Sequence, residues 1–375
     1  MNKLFLRIGT SLQTRPLPPP EKVKKILIYR LGSLGDMVVT LPALHLIEQA
    51  FPSSKRVLLT NLPIHSKAAG APAILDGSRL VHGFINYATG TRRSADLALL
   101  WWKIQEFRPD LLVYLAKSRG DATVQRDASF FRLCGVPAIV GLPLGDLAKS
   151  RHDLTTGLWE NEAVRLTRSI RPIGSIDLDD PRSWDLRLKE DELLTAKQAL
   201  VPLGERNFVV CGLGTKMQAK DWGIENWRLL LGRLSAKLAD VGLVLIGAAE
   251  DAEASDLAAR NWSGPVVNLC GKLSPRETSA AMRGAALFLG PDSGPMHLAA
   301  AARIPCVIAF ASRTHPGIWF PYGKSHQVIY HQLGCSFCNL ETCIEKSKQC
   351  LTSISIEEML EASLRAISSR ESRFY

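Results

Sequence analysis

The chain of 375 residues has no run of about 18 consecutive apolar residues, the length that a helix needs to span a membrane. Its first seven residues include Lys3 and Arg7 but no sustained apolar stretch, so the sequence predicts no secretory signal. We therefore expect a cytoplasmic protein. Any contact with a membrane is expected to be peripheral, on its inner face.

A basic stripe with interleaved aromatic residues is also missing, although the net charge is +10 and the pI about 9.3. The 46 lysines and arginines are spread along the chain, so nucleic acid is not an expected partner. The charge predicts attraction to another polyanion, such as an anionic membrane or a phosphorylated glycolipid, unless it serves solubility alone.

Cysteines number only eight, and half of them fall in one short segment. Four such thiols in a cytosolic protein favour a structural zinc site over disulfides. Unliganded or disulfide-bonded cysteines and an iron–sulfur cluster are the alternatives. The clustered residues are Cys335, Cys338, Cys343 and Cys350.

Short apolar strands alternate with amphipathic helices along the chain, which predicts an α/β fold of two Rossmann-like, doubly wound domains facing a central cleft. The first series opens with a strand at 25–29 and a helix at 37–50, and the polar stretch 171–184 is typical of a linker. We predict an extension at 1–23, a first domain at 24–180, a second at 181–334, and a C-terminal part with the cysteines and a helix at 335–375.

The loop RLGSLGD after the first strand combines Gly32, Gly35 and Asp36. It lacks the Gly-x-Gly-x-x-Gly spacing of dinucleotide-binding dehydrogenases, which disfavours that class. Asp36 is compatible with two roles. It either caps the helix that follows or removes a proton from a sugar hydroxyl at the end of the strand.

Two further loops in the second half of the chain follow predicted strands. Thr215, Lys216 and Lys220 suit a diphosphate whose leaving oxygen gains charge, although a solvated basic loop would look the same. Trp222 and Trp227 are expected to pack rather than to stack on a base. After Gly247, Glu250 is our choice to accept ribose hydroxyls, with helix capping as the alternative.

The segment GPDSGPMHLAAA gives the sharpest local signal. Asp292 and Ser293 stand where a helix N-cap belongs, and the backbone N–H groups beyond them favour a phosphate. Asp292 can accept sugar hydroxyls. His297 suits either a hydrogen bond to a phosphate or a place in the core.

Together these segments resemble glycosyltransferase family 9, the ADP-heptose:lipopolysaccharide heptosyltransferases. The resemblance is carried by ILIYRLGSLGDMVVTLPAL, by the KDW step at Lys220–Trp222, by PDSGPMHLAAA and by IWFPYG at Ile318–Gly323. It covers the chain from about Lys25 to the C-terminal helix. It implies two domains of the GT-B type and an inverting transferase that needs no metal for catalysis.

The resemblance also implies site roles. Asp36 would be the general base, and Lys220 would stabilise the departing ADP. Lys117 and Arg119 are a departure from the family, whose members often have an acidic or amide-rich stretch there; the two cations would suit a phosphorylated glycan or glycolipid acceptor, or form a solvated loop. The residues that would hold the donor, ADP-heptose or another nucleotide sugar, are Thr215, Lys216, Glu250, Asp292, Ser293, Gly294 and His297.

Two other functions compete with this hypothesis. A non-catalytic nucleotide-sugar or glycan-binding protein of the same fold would keep the donor site without turnover. A metal-dependent nucleic-acid protein would use the positive charge and the cysteines, and would bind DNA or RNA at low salt.

Overall fold

The computed structural model describes residues 16–61, 69–88, 90 and 93–371, the last two by their backbone alone. Most of the predicted extension at 1–23 lies outside the described residues. The chain separates into two compact units. Unit 1 runs to Ser66 and continues through Gly70–Arg151 and Ala163–Leu178, and unit 2 consists chiefly of His152–Glu162 and Asp179–Tyr375.

Unit 1 is built on a sheet of five parallel strands in the order β3-β2-β1-β4-β5. These strands are β1 Lys25–Tyr29, β2 Lys55–Asn61, β3 Phe84–Tyr87, β4 Leu111–Tyr114 and β5 Ile139–Val140. The helices of this unit are α1 Leu34–Val38, α2 Leu41–Ala50, α3 Pro72–Leu75, α4 Ser94–Phe107, α5 Asp121–Leu133 and α6 Glu162–Ser169. The strand order reverses its direction between β1 and β4.

Unit 2 repeats this plan with six parallel strands in the order β10-β9-β8-β11-β12-β13 and a separate antiparallel hairpin, β6 His152–Asp153 and β7 Leu158–Trp159. The six strands are β8 Phe208–Cys211, β9 Gly242–Leu245, β10 Val266–Asn268, β11 Leu287–Pro291, β12 Cys306–Phe310 and β13 Gln327–Tyr330. Renumbered within the sheet, the order is 3-2-1-4-5-6, the arrangement of doubly wound nucleotide-binding folds. The predicted α/β class with two parallel sheets is confirmed.

The helices of unit 2 are α7 Glu190–Ala199, α8 Ile224–Ser235, α9 Ala252–Ala259, α10 Pro275–Met282, α11 Gly294–Ala301, α12 Gln349–Thr352 and α13 Ile356–Glu371. The core of this unit includes Trp222 and Trp227, whose rings meet edge to face at 4.8 Å. The indole of Trp222 also donates to the Ile354 carbonyl just before α13. Both tryptophans therefore pack, as the sequence predicts, and the C-terminal helix belongs to this core.

The helix expected at 37–50 is in fact two helices, α1 and α2, interrupted at Val39 and Thr40. Pro42 explains the break, because proline has no N–H to donate to the carbonyl four residues before it, which is that of Val38. Proline is tolerated in the first turn of α2, where the N–H groups lack helical acceptors. The break places Asp36 on a separate, short helix.

The sequence pattern does not predict the strands β3 and β13 or the hairpin β6–β7. Strands β3 and β13 lie at sheet edges, and most of their side chains are only half-buried. An edge strand needs no continuous apolar run, so it gives little signal. Among the residues that the structure describes, no helix combines the length and the apolar character needed to cross a membrane.

Candidate functional site

Asp36 lies in the first turn of α1, which follows the carboxyl end of β1, a central strand of unit 1. One carboxylate oxygen, Oδ2, accepts the backbone N–H of Ser33 at 2.9 Å, so Asp36 caps its own helix. Gly32, with φ +137°, lies against this side chain, and a Cβ there would be 2.2 Å from Asp36 Cγ. The N–H of Gly32 donates to the Asn61 side chain at the end of β2. Gly35 lies inside α1.

Arg30 is the partner that sequence reasoning missed. Its guanidinium is buried, donates to the Leu115 carbonyl at 2.9 Å, and lies 3.6 Å from Asp36 Oδ1. The side chain of Asp36 is nevertheless 30% exposed. Asp36 is therefore held from two sides and still reachable by a substrate, so the capping role does not exclude a second one. The sequence signal for the role of Arg30 is its place directly after an apolar strand, where a charged residue is unusual.

Lys117 and Arg119 follow β4, the strand beside β1, and both are exposed. Arg119 contacts the Asp127 carboxylate on α5 at 3.3 Å, and the Tyr114 hydroxyl donates to the same carboxylate at 3.0 Å. Burial, followed by the nearby Asp127 charge, raises the pKa of Tyr114 well above its usual range. This tyrosine remains a neutral hydrogen-bonding group, and it orders the carboxylate that positions Arg119.

Lys220 and Asp292 form the central contact of unit 2. Lys220 ends a 3₁₀ turn after β8, Asp292 follows β11, and their Nζ and Oδ2 atoms are 2.8 Å apart. The two side chains are only 17% and 5% exposed. Since β8 and β11 are the neighbours between which the strand order reverses, this pair lies where doubly wound folds bind ligands. A half-buried ammonium held by one carboxylate can still donate hydrogen bonds to further anionic oxygens.

Ser293 is the N-cap residue of α11, but its hydroxyl makes no capping hydrogen bond. The oxygen is buried and has no hydrogen-bond partner within the part of the chain that the structure describes. Gly294 and Pro295 form the first turn of the helix that follows. An unpartnered buried hydroxyl is costly, and together with a helix N-terminus it presents donors to an anion. The arrangement suits a phosphate group.

His297 lies in the same helix, buried and edge-on to Trp319. Burial lowers its pKa to about 4; Asp292 opposes this shift, while Lys220 and His326 add to it. His297 is therefore neutral at physiological pH, and any bond it makes to a ligand is that of an uncharged imidazole.

The other predicted donor residues lie on the loops after β8 and β9. Thr215 is half-buried, whereas Lys216 and Glu250 are exposed. Asp251, the residue after Glu250, accepts the Ala248 N–H at 2.8 Å, and a Cβ on Gly214 would lie 2.1 Å from its Oδ2. Asp251 thus braces the two loops against each other, a long-range role that sequence spacing does not reveal.

The clustered cysteines are free thiols, and Cys338 is exposed. Among the residues that the structure describes, no three His, Cys, Asp or Glu side chains are gathered in a way that would hold a metal ion. The four-cysteine zinc site therefore stays a prediction from spacing. The four isolated cysteines, by contrast, are all buried.

Two parallel sheets of doubly wound order, the second with a paired lysine and a helix N-terminus at its switch point, place this chain in the class of doubly wound α/β proteins. The model of glycosyltransferase family 9 (heptosyltransferase) matches residues 149–349, more than half of the chain. The chain belongs to this family. Lipopolysaccharide heptosyltransferase 1 of Pseudomonas aeruginosa is 26% identical over 332 residues, which is 85% of this chain and 87% of that protein.

Solved structures share the fold over almost the whole chain. A glycosyltransferase family 9 protein from Veillonella parvula superposes with a TM-score of 0.70 at 17% identity, covering 92% of this chain and 98% of the other. Escherichia coli heptosyltransferase WaaC, solved with ADP, gives a TM-score of 0.60 at 20% identity, covering 91% and 99%. At these identities the likeness shows the fold alone.

Proposed function

We propose that this protein transfers a sugar, a heptose from ADP-heptose, onto a lipopolysaccharide core or another cell-surface glycan, with inversion at the anomeric carbon. The observation that carries the proposal is the Lys220–Asp292 pair, 2.8 Å apart, next to the unpartnered hydroxyl of Ser293. Support for the heptose comes from the family and from relatives named as lipopolysaccharide heptosyltransferases.

The donor diphosphate is assigned to unit 2. Its oxygens would meet the ammonium of Lys220, the Ser293 hydroxyl and the backbone N–H groups that begin α11 at Gly294. Thr215 and Lys216 would approach the same diphosphate from the loop after β8, and Glu250 would accept the ribose hydroxyls. His297, uncharged, would complete the pocket near the sugar.

The acceptor is assigned to unit 1, where Asp36 is the general base. Arg30 and the Ser33 N–H fix its carboxylate, so the basic oxygen is oriented before the acceptor arrives. Lys117 and Arg119, exposed on the neighbouring loop, would meet phosphate groups of the acceptor. The exposure of the Asp36 carboxylate is what this role requires.

The reaction would be a single displacement. Asp36 takes the proton of the acceptor hydroxyl while that oxygen forms a bond to the anomeric carbon. The bond from this carbon to the diphosphate oxygen breaks, and its electron pair leaves with ADP. Lys220 and the N-terminus of α11 neutralise the charge that grows on the leaving group, the contribution that is generally largest in such catalysis.

The test combines calorimetry with turnover. We expect ADP-heptose to bind more tightly than UDP-, GDP- or CMP-sugars. We expect Asp36→Asn to lose about 10²–10⁴-fold in kcat while donor affinity stays unchanged. Asp121→Asn, another exposed carboxylate in the first turn of a unit 1 helix, is the matched control and should keep full turnover.

Two further outcomes bear on the mechanism. Proton NMR of the product reports whether the anomeric configuration is inverted, and turnover after EDTA treatment reports whether a metal is needed. Tight donor binding with no turnover toward any acceptor would favour the non-catalytic alternative. Failure to bind any nucleotide sugar would reject the proposal.

A further inference from the structure

Helix α4 of unit 1 exposes apolar side chains on the surface that it turns away from the sheet. Only Leu100 and Ile104 of this helix are buried. Trp101 and Trp102 are 43% and 53% exposed, and Leu97 and Leu99 are 38% and 51% exposed. Exposed apolar side chains gathered on one element commonly mark a contact with protein or with lipid.

A second element extends this surface. The indole N–H of Trp101 donates to the Leu133 carbonyl at the end of α5, and the Leu133 side chain is itself 46% exposed. We define the tryptophan face as Leu97, Leu99, Trp101, Trp102 and Leu133. Exposed tryptophans are the side chains that concentrate at the boundary between water and lipid, because each ring has an apolar body and a polar edge.

Positive charge borders the tryptophan face. Arg93, immediately before α4, has a side chain that is 83% exposed and lies 4.0 Å from the Asp96 carboxylate, and Arg108, immediately after the helix, is exposed as well. The surrounding unit has the same sign, because residues 16–61, 70–151 and 163–178 contain 20 lysines and arginines against 11 acidic residues. Residues 152–162 and 179–375 contain 22 against 25. The excess positive charge of the protein therefore belongs to the unit that carries the face.

We propose that the tryptophan face docks unit 1 onto the surface of an anionic lipid bilayer. The apolar rings would enter the headgroup region, and the flanking arginines would meet lipid phosphates. A second copy of the chain is the less suitable occupant, because pairing this face with itself would oppose two strongly positive units. The inference rests on the proposed function in one respect: a lipid-linked acceptor lies in such a surface.

The experiment is co-sedimentation of the full chain with phosphatidylcholine vesicles, prepared with and without phosphatidylglycerol. We expect binding to the anionic vesicles only, weakened by salt. The variant Trp101→Gln/Trp102→Gln should bind at least about tenfold more weakly, since each ring loses its buried apolar area. Leu194→Gln/Leu229→Gln, which changes two exposed leucines of unit 2, is the matched control and should bind like the wild type.

A second measurement avoids any folding defect of the variants. Tryptophan fluorescence of the wild-type protein should shift to shorter wavelength with anionic vesicles and be quenched by brominated lipid. Equal binding of both variants, absence of binding to anionic vesicles, or a dimer in sedimentation velocity that only the tryptophan variant abolishes would each overturn the docking proposal.

Turnover on a water-soluble, delipidated acceptor separates this proposal from the proposed function. The tryptophan variant should keep wild-type turnover there, because the face contains no residue assigned to chemistry. If the wild type binds anionic vesicles but turns over no glycan acceptor, docking stands and the transferase assignment fails. The reverse result, turnover without vesicle binding, would sink only the docking.

Discussion

Units 1 and 2 share one sheet plan and differ in how they distribute charge. Each places its central candidate residues beyond the carboxyl ends of the two strands between which the strand order reverses, β1 and β4 in unit 1, β8 and β11 in unit 2. Unit 1 has a positive surface, yet its central candidate is a carboxylate, Asp36. Unit 2 has slightly more acidic than basic residues, yet its central candidate is an ammonium, Lys220.

The difference separates two uses of charge. A broad surface excess acts over about a Debye length and attracts large anionic partners. A single half-buried charge acts on one bond, and it is effective because little water screens it. The net charge of +10 therefore comes chiefly from unit 1 and says little about the chemistry of either site.

The strongest test of this comparison replaces the buried cation of unit 2. We expect Lys220→Met to lower kcat by about 10²–10³-fold, the usual effect of removing one group that stabilises transition-state charge. Lys216→Met, four residues away on the same loop but exposed, should have a much smaller effect. Steady-state kinetics on both variants measures the contrast.

Folding must be checked in the same variants. Removing Lys220 leaves Asp292 buried without its partner, which costs about 3–5 kcal/mol in comparable buried pairs. Urea unfolding therefore accompanies the kinetics, under conditions where the variant is folded. If Lys216→Met proved the more damaging change in folded protein, the assignment of Lys220 would be wrong.

The next test concerns the packing of the unit 1 loop. Gly32→Ala should lower the free energy of unfolding by about 2–3 kcal/mol, because it adds backbone strain at φ +137° and a collision with Asp36. Gly120→Ala, at φ +96° with no atom within 4 Å of the new Cβ, has the strain without the collision. Denaturant titration of the two should show the larger loss at Gly32, and equal losses would mean that Asp36 is not held there.

The smallest expected effect is a pH dependence in unit 2. The pKa of His297 is about 4 in the folded protein, below its ordinary value of 6.5, so the unfolded chain binds this proton more readily. Stability should therefore fall as the pH drops from about 6.5 toward 4, by about 2 kcal/mol at pH 5 from this residue.

The measurement is the urea midpoint at pH 7.5 and pH 5 for the wild type and His297→Gln. The variant should lose less stability on acidification than the wild type. His326, whose pKa burial also lowers to about 4, keeps its own contribution in both proteins. Identical pH dependence in the two proteins would show that His297 is not buried in its neutral form.

Much of the architecture follows from local sequence pattern. Central strands such as Lys25–Tyr29 and Cys306–Phe310 are continuous apolar runs because both of their faces are covered, and such runs are visible without a structure. Edge strands such as Gln327–Tyr330 have half-buried side chains and lack that signal. Pro42 is a sequence signal for the break between α1 and α2. The apolar residues keep helical spacing on both sides of the break, which concealed it.

The candidate site was predictable where its residues are neighbours in sequence. The pattern of apolar residues alone locates the end of the strand that Asp292 and Ser293 follow directly. It also locates the strand β8, whose following loop carries Lys220. Arg30 and Asp251 escaped because their roles depend on partners in other loops, the Leu115 carbonyl in one case and the backbone of Gly214 in the other. Such contacts require the sheet order, which a single sequence does not supply.

The hairpin β6–β7 has a consequence for dissecting the molecule. Residues 152–162 belong to unit 2, although they lie in sequence between two segments of unit 1, within the range 24–180 expected for the first domain. The ring of Trp159 in this hairpin packs on that of His315. The backbone N–H of Trp159 donates to the Pro316 carbonyl. A fragment starting at Asp179 would therefore lack a piece of its own surface and leave these groups uncovered. Truncation at one position cannot yield either unit in full. Each unit is therefore better studied by substitution within the complete chain.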